Sequence, residues 1–358
     1  MYDHVNILTI IFNEPSLFAI VIYMDKKNTN KIGSIYQAVF TPAARVKHTR
    51  SGNGMSEFSI LESLANKFSN TDNAIRTASL SDNKKAKPFI QWVGGKREMI
   101  TQYQDYIPKK FNSYFEPFLG GGALFFHLAP NKAFLADSNL ELVKTYEGVR
   151  DDVDTVINHL RLLKSKHSKE LYLAIRNLDR VYNIFADFSN PEIAARFIYL
   201  NQTGFNGVYR VNQKGQYNVP IGSSLNRLIC DENTLRKASE ILKSTDLKCI
   251  DFEEFVKDAK KDDFVYFDPP YFPISIYSDF TRYTKEKFYK EDQIRLKEAI
   301  DKLTRKGCKV MLSNSDCEFI QDLYSDYKKI KVCSNRTLNC KSDRRGKVSE
   351  LLIINYKV

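Results

Sequence analysis

A short run in the second half of the chain, Asp268-Pro269-Pro270-Tyr271, places a carboxylate, two prolines and an aromatic ring directly after the apolar residues 264–267. An amine attached to a purine or pyrimidine ring is a weak nucleophile, because its lone pair is delocalised into the ring. A carboxylate and a rigidly held backbone carbonyl can accept the two amine hydrogens and so concentrate electron density on the nitrogen in the transition state. Proline restricts φ and preorganises such acceptors, and a tyrosine ring can stack on a base. The run predicts methylation of an exocyclic amine; the alternative is a surface turn after a buried strand.

A glycine-rich segment lies upstream, at residues 114–126, and its pattern predicts a strand, a turn and the start of a helix. In an α/β sheet, such a turn binds nucleotide-like ligands at a helix N-terminus. The three consecutive glycines, Gly120 to Gly122, lack the G-x-G-x-x-G spacing that cradles a pyrophosphate, which favours a ligand with a ribose but no phosphates. The next apolar run, 133–136, ends in Asp137, which is placed to accept ribose hydroxyls. A helix-capping aspartate after a glycine turn is the alternative.

Together these motifs closely resemble the adenine-N6 DNA methyltransferases of the Dam type, in which the cofactor motifs precede a target-recognition insert. The resemblance runs from about residue 87 to the C-terminus. In chain order it rests on residues 92–96 (WVGGK), 115–122 (FEPFLGGG), 136–139 (ADSN), 251–252 (DF) and 268–271 (DPPY). It implies an α/β fold with a Rossmann-like, mixed seven-stranded sheet. The implied reaction is transfer of a methyl group from S-adenosylmethionine to N6 of adenine in a short, GATC-like duplex sequence, after the base has flipped out of the stack.

The resemblance also implies roles for individual residues. Catalysis is expected at Asp268, Pro269, Pro270 and Tyr271. The positions expected to bind the cofactor are Trp92, Lys96, Phe115, Glu116, Gly120, Gly122, Asp137, Asp251, Phe252 and Asp268, with Asp251 and Phe252 bordering its adenine. Residues 313–316 resemble a further loop at the pocket edge. Taken alone, Trp92 is equally a core aromatic and Lys96 a solvated cation.

The composition favours a polyanionic substrate. The chain has 54 Lys and Arg against 43 Asp and Glu, a formal net charge of +11, so phosphate binding is expected. Charge alone does not separate DNA from RNA or an acidic membrane. A more specific signal is residues 205–220, which predict two short strands about an Asn-Gln-Lys-Gly turn. A basic, amide-rich hairpin can enter the major groove, where Arg reads guanine and Asn or Gln reads adenine.

This hairpin resembles the DNA-reading hairpin of the family. The resemblance implies base contacts from Asn206, Val208, Arg210 and Pro220, with Arg210 on a guanine. Gln91 is also expected at the DNA; relatives that methylate GATC often carry Lys at this position, where a contact to a target-site guanine has been suggested. The chemistry is therefore better determined by the sequence than the recognition site is.

The 358 residues exceed one ordinary domain, and we divide them into three parts. Residues 1–86 are expected to form an N-terminal extension without an assigned role. The catalytic domain is expected to comprise residues 87–145 and 245–358, and the target-recognition insert residues 146–244. Helices are predicted at 155–164 and 169–179, and strands at 5–12, 17–24, 264–267, 309–313 and 350–356. The basic stretches 41–57 and 343–347, as well as Arg336, are either phosphate contacts or solvated loops, and 69–87 is a polar linker.

The remaining residues bear on metal binding, on the cellular compartment and on alternative functions. The five His show no ligand spacing, and the six Cys form no C-x-x-C pair. We therefore expect no bound metal, and we expect a reduced, cytoplasmic protein. The apolar runs near the N-terminus fall short of the roughly 20 residues that span a bilayer. We expect a monomer that acts on double-stranded DNA without an obligatory protein partner. The alternatives are a cytosine-N4 methyltransferase, since the same motif suits any exocyclic amine, and a catalytically silent DNA-binding regulator.

Overall fold

The chain divides into two units, residues 1–84 and 85–358. The structure, a computed structural model, describes residues 86–223, 228–273, 288–335 and 347–358, together with the backbone of three strands nearer the N-terminus. Arg336 and most of the predicted loops 41–57 and 343–347 and linker 69–87 lie outside the described residues.

The first unit contains an antiparallel sheet of three strands, β1 (Val5–Ile11), β2 (Phe18–Asp25) and β3 (Ala38–Pro42). The central strand, β2, pairs with both others. The two strands predicted at 5–12 and 17–24 are thus confirmed to within one residue at each end.

The second unit is built on a sheet of seven strands. These are β4 (Tyr114–Glu116), β5 (Ala133–Asp137), β6 (Thr245–Cys249), β7 (Phe264–Phe267), β8 (Lys309–Ser315), β9 (Lys328–Asn335) and β10 (Lys347–Ile354). Their order is β6-β5-β4-β7-β8-β10-β9. The first five in this order run parallel, and β10 is antiparallel to β8 and β9. The predicted mixed, seven-stranded α/β sheet is confirmed.

Helices cover the sheet and form most of the segment between β5 and β6. They are α1 (Ile100–Tyr103), α2 (Ala123–Leu128), α3 (Leu140–Asp151), α4 (Val153–Ser165), α5 (Lys169–Arg176), α6 (Leu178–Val181), α7 (Ile184–Asp187), α8 (Asn190–Thr203), α9 (Glu232–Leu242), α10 (Phe252–Phe255), α11 (Lys290–Lys306) and α12 (Glu318–Leu323). Short 3-10 turns occupy Lys96–Glu98, Gln104–Tyr106, Phe205–Gly207 and Val256–Asp258. None of the helices in the described residues combines the length and apolar character that a bilayer crossing requires.

The two helix predictions have different outcomes. The helix predicted at 155–164 lies within α4. The one predicted at 169–179 is interrupted at Asn177, whose N–H bonds back to the carbonyls of Leu173 and Ala174; the chain then begins the separate helix α6.

Parallel strands covered on both faces are apolar throughout, and all four residues of β7 are accordingly buried. On one face, Phe115, Val265 and Leu312 pack with Leu296 and Ile300 of α11. This core holds the strands in register.

The sheet order creates a crevice at one edge. From the central strand β4 the chain first adds β5 and β6 on one side, and later β7 and β8 on the other. Ligands of open α/β sheets bind at the carboxyl ends of the strands where the order reverses in this way. The glycine turn after β4, Asp137 at the end of β5 and Asp268 directly after β7 all lie at this edge.

A buried ionic cluster joins the helices beyond β5. Arg196 of α8, whose side chain is only 5% exposed, pairs with Glu141 of α3 and with Asp179 of α6; its Nη2 lies 3.0 Å from Asp179 Oδ2. It also donates to the backbone carbonyls of Ile175 and Arg176. Helix α3 crosses the position 145/146 at which we placed the start of the insert, so the cluster attaches the insert helices to the chain leaving the sheet.

We expect Arg196→Met to lower the free energy of unfolding by about 3–5 kcal/mol, because Glu141 would stay buried without its cation, while Asp179 would keep only Arg180 as a partner of opposite charge. Arg161→Met is the matched control: Arg161 makes a similar two-point pair with Glu232, at 2.7 Å for each bond, but both side chains are over a third exposed. Its loss should cost about 0–1 kcal/mol. Urea unfolding of both variants measures the difference, and equal losses would contradict the assignment.

Candidate active site

Asp268 lies at the first position after β7, and its carboxylate is held by two side chains from distant segments. Lys96 Nζ lies 2.9 Å from Asp268 Oδ1, with the Lys96 side chain only 6% exposed. The hydroxyl of Ser313, in β8, donates to the same oxygen at 2.9 Å. Burial raises the pKa of Asp268 above its ordinary value, while the Lys96 ammonium and the Ser313 hydroxyl act to lower it. The two partners therefore stabilise the charged form of a largely enclosed carboxylate.

A buried pair of amides fixes the loop that follows Asp268. Gln293 of α11 donates from Nε2 to the carbonyl of Pro270 at 3.0 Å. Asn314 of β8 accepts from the backbone N–H of Phe272 at 3.2 Å and donates to Gln293 Oε1 at 2.9 Å. Both amide side chains belong to fully buried residues. The loop is thus held on both sides of Tyr271.

Tyr271 is also held through its own side chain. Its hydroxyl donates to Glu350 Oε2 of β10 at 2.8 Å, and Lys96 Nζ lies 4.7 Å from the centre of its ring. Burial, followed by nearby tyrosines and carboxylates, raises the pKa of Tyr271 well above its ordinary value. The side chain is therefore a neutral, oriented ring beside Asp268.

The glycine turn after β4 is shaped by backbone conformation and by a close contact. Gly120 and Gly122 have φ of +46° and +63°, in the left-handed region that favours glycine. A Cβ on Gly120 would come within 2.7 Å of the Trp92 ring, so the indole lies directly on the turn. Tyr146 of α3 donates its hydroxyl to the Gly120 carbonyl at 3.0 Å.

Asp137 connects this turn to the end of β5. Its Oδ2 accepts from the Gly120 N–H and its Oδ1 from the Asn139 N–H, both at 3.0 Å. Burial raises its pKa, against the lowering effect of these backbone donors. Since an ionised carboxylate has about four acceptor positions, both oxygens keep capacity for further donors.

Phe115 and Glu116, predicted at the cofactor, are enclosed by protein. The Phe115 ring stacks on Phe134 at 4.6 Å. Glu116 is 2% exposed and accepts from the Tyr114 hydroxyl at 2.8 Å; burial raises its pKa well above the ordinary value. Both side chains thus belong to the packing that supports the turn.

Asp251 and Phe252, predicted to border the cofactor adenine, lie at the start of α10. Asp251 caps this helix by accepting from Glu253 N–H at 3.0 Å, and it pairs with Arg295 at 2.9 Å. The buried Phe252 ring stacks on Phe118 at 5.4 Å, and the Arg295 guanidinium lies 5.0 Å from its centre. Arg295 therefore covers one face of the predicted adenine-binding ring.

Trp92 and Gln91 belong to residues 91–96, which we call the entry segment, and both contact residues between β5 and β6. Trp92 stacks on Tyr209 at 5.9 Å and on Phe197 at 6.4 Å. The backbone N–H and C=O of Gln91 both bond to the side chain of Asn201, at 2.8 Å each. Gln91 itself is exposed.

The predicted hairpin is present, but the prediction of two strands is wrong: residues 204–221 contain isolated bridges, one between Val211 and Tyr217 and one between Gly204 and Ile221. The reason is local, since the Asn212 side chain accepts the N–H groups of Lys214 and Gln216. Backbone bonds from the Asn212 N–H to Gln216 and from the Asn218 N–H to Arg210 still join the arms, but they do not extend into a ladder.

The four predicted base-reading residues differ in exposure. Arg210 is exposed, and its guanidinium is oriented by Asn218, with Nε to Oδ1 at 2.8 Å. Asn206, at φ 54°, and Pro220 are also exposed, whereas Val208 is half-buried.

The contacts at the site that were not predicted include those of Gln293 with the loop, Glu350 with Tyr271 and Tyr209 with Trp92. Of these, only the contact of Gln293 had a signal in the sequence: Gln293 is a polar residue on the apolar face of a helix, three positions before the core residue Leu296. Glu350 and Tyr209 carry no comparable sequence signal.

The chain was compared with known proteins. A family model described as D12 class N6 adenine-specific DNA methyltransferase matches residues 92–338. The type II methyltransferase M1.LlaDCHI of Lactococcus lactis subsp. cremoris is 45% identical over 272 residues, 75% of this chain and 95% of that protein. The type II methyltransferase M.MjaIII of Methanocaldococcus jannaschii is 40% identical over 288 residues, which are 75% of this chain and 99% of that protein. The DNA adenine methylase of Escherichia coli K12 is 30% identical over 279 residues, covering 76% and 96%. On the family match and these identities, the chain belongs to the D12 class N6 adenine-specific DNA methyltransferase family.

Proposed function

We propose that this enzyme uses S-adenosylmethionine to methylate N6 of an adenine flipped out of a short, GATC-like duplex sequence, with Asp268 and the carbonyl of Pro269 as the acceptors of the amine hydrogens. The observation that carries the proposal is the Asp268 carboxylate, held at the reversal point of the sheet beside the glycine turn. It already accepts an N–H donor, the Lys96 ammonium, at 2.9 Å. An adenine amine presents the same kind of donor to the same oxygens.

The loop geometry supports the second acceptor. Since Gln293 occupies the carbonyl of Pro270, we assign the preceding carbonyl, that of Pro269, to the amine. Proline at both positions fixes φ, so that little reorganisation is needed as the nitrogen becomes tetrahedral. Tyr271 supplies a ring for stacking on the flipped base.

The residues at the glycine turn fit the proposed cofactor. Gly120 and Gly122 leave the backbone approachable, Asp137 can accept ribose hydroxyls, and the Trp92 ring forms a wall beside the turn. When bound, S-adenosylmethionine supplies a methyl group on a positively charged sulfur. Stacking of its adenine on the face of Phe252 that Arg295 covers requires Arg295 to move. We infer that Phe115 and Glu116 act indirectly, by supporting the turn.

The exposed hairpin supports sequence-specific binding. Arg210 is our candidate for a guanine, with Asn206, Val208 and Pro220 at neighbouring bases and Gln91 at the edge of the site. Because one strand is methylated at a time, a monomer suffices for this chemistry.

The direct test is expression in a host that lacks adenine methylation, followed by sequencing of its genomic DNA for modified bases. N6-methyladenine confined to one short motif supports the proposal, and GATC would show that Gln91 is compatible with that target. N4-methylcytosine would replace it with the cytosine alternative. Unmodified DNA from a folded protein that binds S-adenosylmethionine would favour a silent DNA-binding regulator.

Asp268→Ala should slow methyl transfer by about 100- to 1,000-fold or more, as expected for loss of a preorganised electrostatic contact, with cofactor affinity largely kept. Single-turnover methylation of a target duplex measures the rate, and equilibrium titration measures the affinity. Asp258→Ala, at an exposed residue outside the crevice, is the control. Transfer at the normal rate by the Asp268 variant would refute the assignment.

Ser313→Ala should move the acid limb of the pH–rate profile to higher pH. The Ser313 hydroxyl lowers the pKa of Asp268; without it the carboxylate is protonated at a higher pH, and activity that requires the charged form is lost sooner as pH falls. Ser315→Ala is the matched control on the same strand, because that hydroxyl contacts Cys317. An acid limb of kcat/KM that stays in place in Ser313→Ala would contradict the role.

Arg210→Ala should reduce discrimination between target and scrambled duplexes by about 1–3 kcal/mol, the value of a bidentate base contact. Lys214→Ala, four residues along at the exposed turn, should weaken binding to both duplexes equally and reduce the salt dependence by about one ion. Titrations of each duplex at several salt concentrations distinguish the two effects. An equal loss on both duplexes in Arg210→Ala would remove it from base reading.

A further inference from the structure

A stack of aromatic rings connects the hairpin to the glycine turn. Tyr209, the residue before Arg210, lies on Trp92 with ring centres 5.9 Å apart and an angle of 22° between the planes. Trp92 in turn lies on Gly120, close enough that a Cβ there would be 2.7 Å from the indole. Two successive contacts thus join the candidate guanine-reading residue to the candidate cofactor turn.

Tyr209 is held rigidly on its remaining sides. It is 8% exposed, stacks on Phe197 at 5.2 Å and donates its hydroxyl to Glu141 Oε2 at 3.1 Å. Burial raises the pKa of Tyr209 well above the ordinary value, so the hydroxyl stays a donor. Displacement of the Trp92 ring therefore cannot be absorbed by empty space around Tyr209.

The opposite arm of the hairpin is attached to the buried ionic cluster around Arg196. Tyr217 donates its backbone N–H to Asp179 at 2.8 Å, and Asp179 and Glu141 are both paired with Arg196. Both arms thus bind side chains of one buried ionic cluster, Tyr209 through Glu141 and Tyr217 through Asp179. Within this set of contacts, the Trp92 ring is the group that lies against the glycine turn.

We propose that Tyr209 is a positioning residue whose ring couples the two binding sites, so that cofactor at the glycine turn strengthens binding of the target duplex, and the duplex strengthens binding of the cofactor. This inference rests on the proposed function. Displacement of Trp92 by a bound cofactor shifts the Tyr209 ring and with it the backbone that carries Arg210. Linkage requires the coupling factor to be the same in both directions.

The chain contains a single tryptophan, so fluorescence excited at the long-wavelength edge of the protein absorption, where tyrosine contributes little, reports Trp92. S-adenosylhomocysteine, which cannot transfer a methyl group, is titrated with and without a saturating duplex that carries the sequence methylated in the genomic test. The ratio of the two dissociation constants is the coupling factor. For the unaltered protein we expect a factor on the order of 10 with the target duplex, within the usual range of such couplings, and near 1 with a scrambled duplex.

Tyr209→Leu should reduce the factor to below about 2, which is under the usual range of such couplings, because the flat ring contact is lost. Tyr209→Phe keeps the ring and loses only the hydroxyl, and should retain the coupling. If Tyr209→Leu does not fold, Tyr209→Met, whose flexible side chain adapts to irregular gaps, takes its place. A mere loss of stability would weaken each affinity without changing their ratio.

Full coupling in Tyr209→Leu, or its loss in Tyr209→Phe, would overturn the inference, since the ring contact would then not be the route. A factor near 1 in an unaltered protein that methylates its target would also overturn it while leaving the proposed function intact. Failure to bind S-adenosylhomocysteine or to methylate any DNA would instead refute the proposed function itself.

Discussion

The site depends on the neutralisation of one carboxylate. An enclosed carboxylate without partners is costly, because water no longer solvates its charge. Asp268 avoids this cost through Lys96, which precedes the first strand of the large sheet, and through Ser313, near the end of β8. The three residues are far apart in the chain. The charge is therefore compensated only when the entry segment, β7 and β8 have all been assembled, and formation of the crevice coincides with formation of the sheet.

Much of the fold was predictable because its motifs lie at strand ends. Asp137 and Asp268 each follow a short apolar run, and local pattern suffices to find such places. The supports of the site were not predictable, because they are side-chain contacts across long separations: Tyr271 meets Glu350 from 79 positions away. The position of the hairpin was predicted correctly but its two strands were not, since the Asn212 side chain binds backbone N–H groups within the turn. A strand pattern contains no information on that competition.

The segment between β5 and β6, our candidate for target recognition, packs closely against the residues that precede the sheet. Helix α3 leaves β5 and continues into the segment, and its Glu141 is buried against Arg196 of α8. Rings from the same segment, those of Phe197 and Tyr209, lie on Trp92 of the entry segment. Packed interiors transmit displacement because they contain few voids. A composition-based boundary describes where the residue pattern changes, and here it falls inside a helix.

The segment that contains the hairpin leaves the sheet at β5 and returns at β6, and these two strands are hydrogen-bonded neighbours. An insertion between adjacent strands changes neither the order nor the register of the sheet, and lengthening it carries only a slowly growing entropic cost. If this segment reads the bases, as we propose, divergence among descendants of such a protein is free to alter which bases are read while the candidate active site stays the same. One exception is the contact between Trp92 and Tyr209, so a hairpin transplanted from another sequence has to bring a ring that fits the indole.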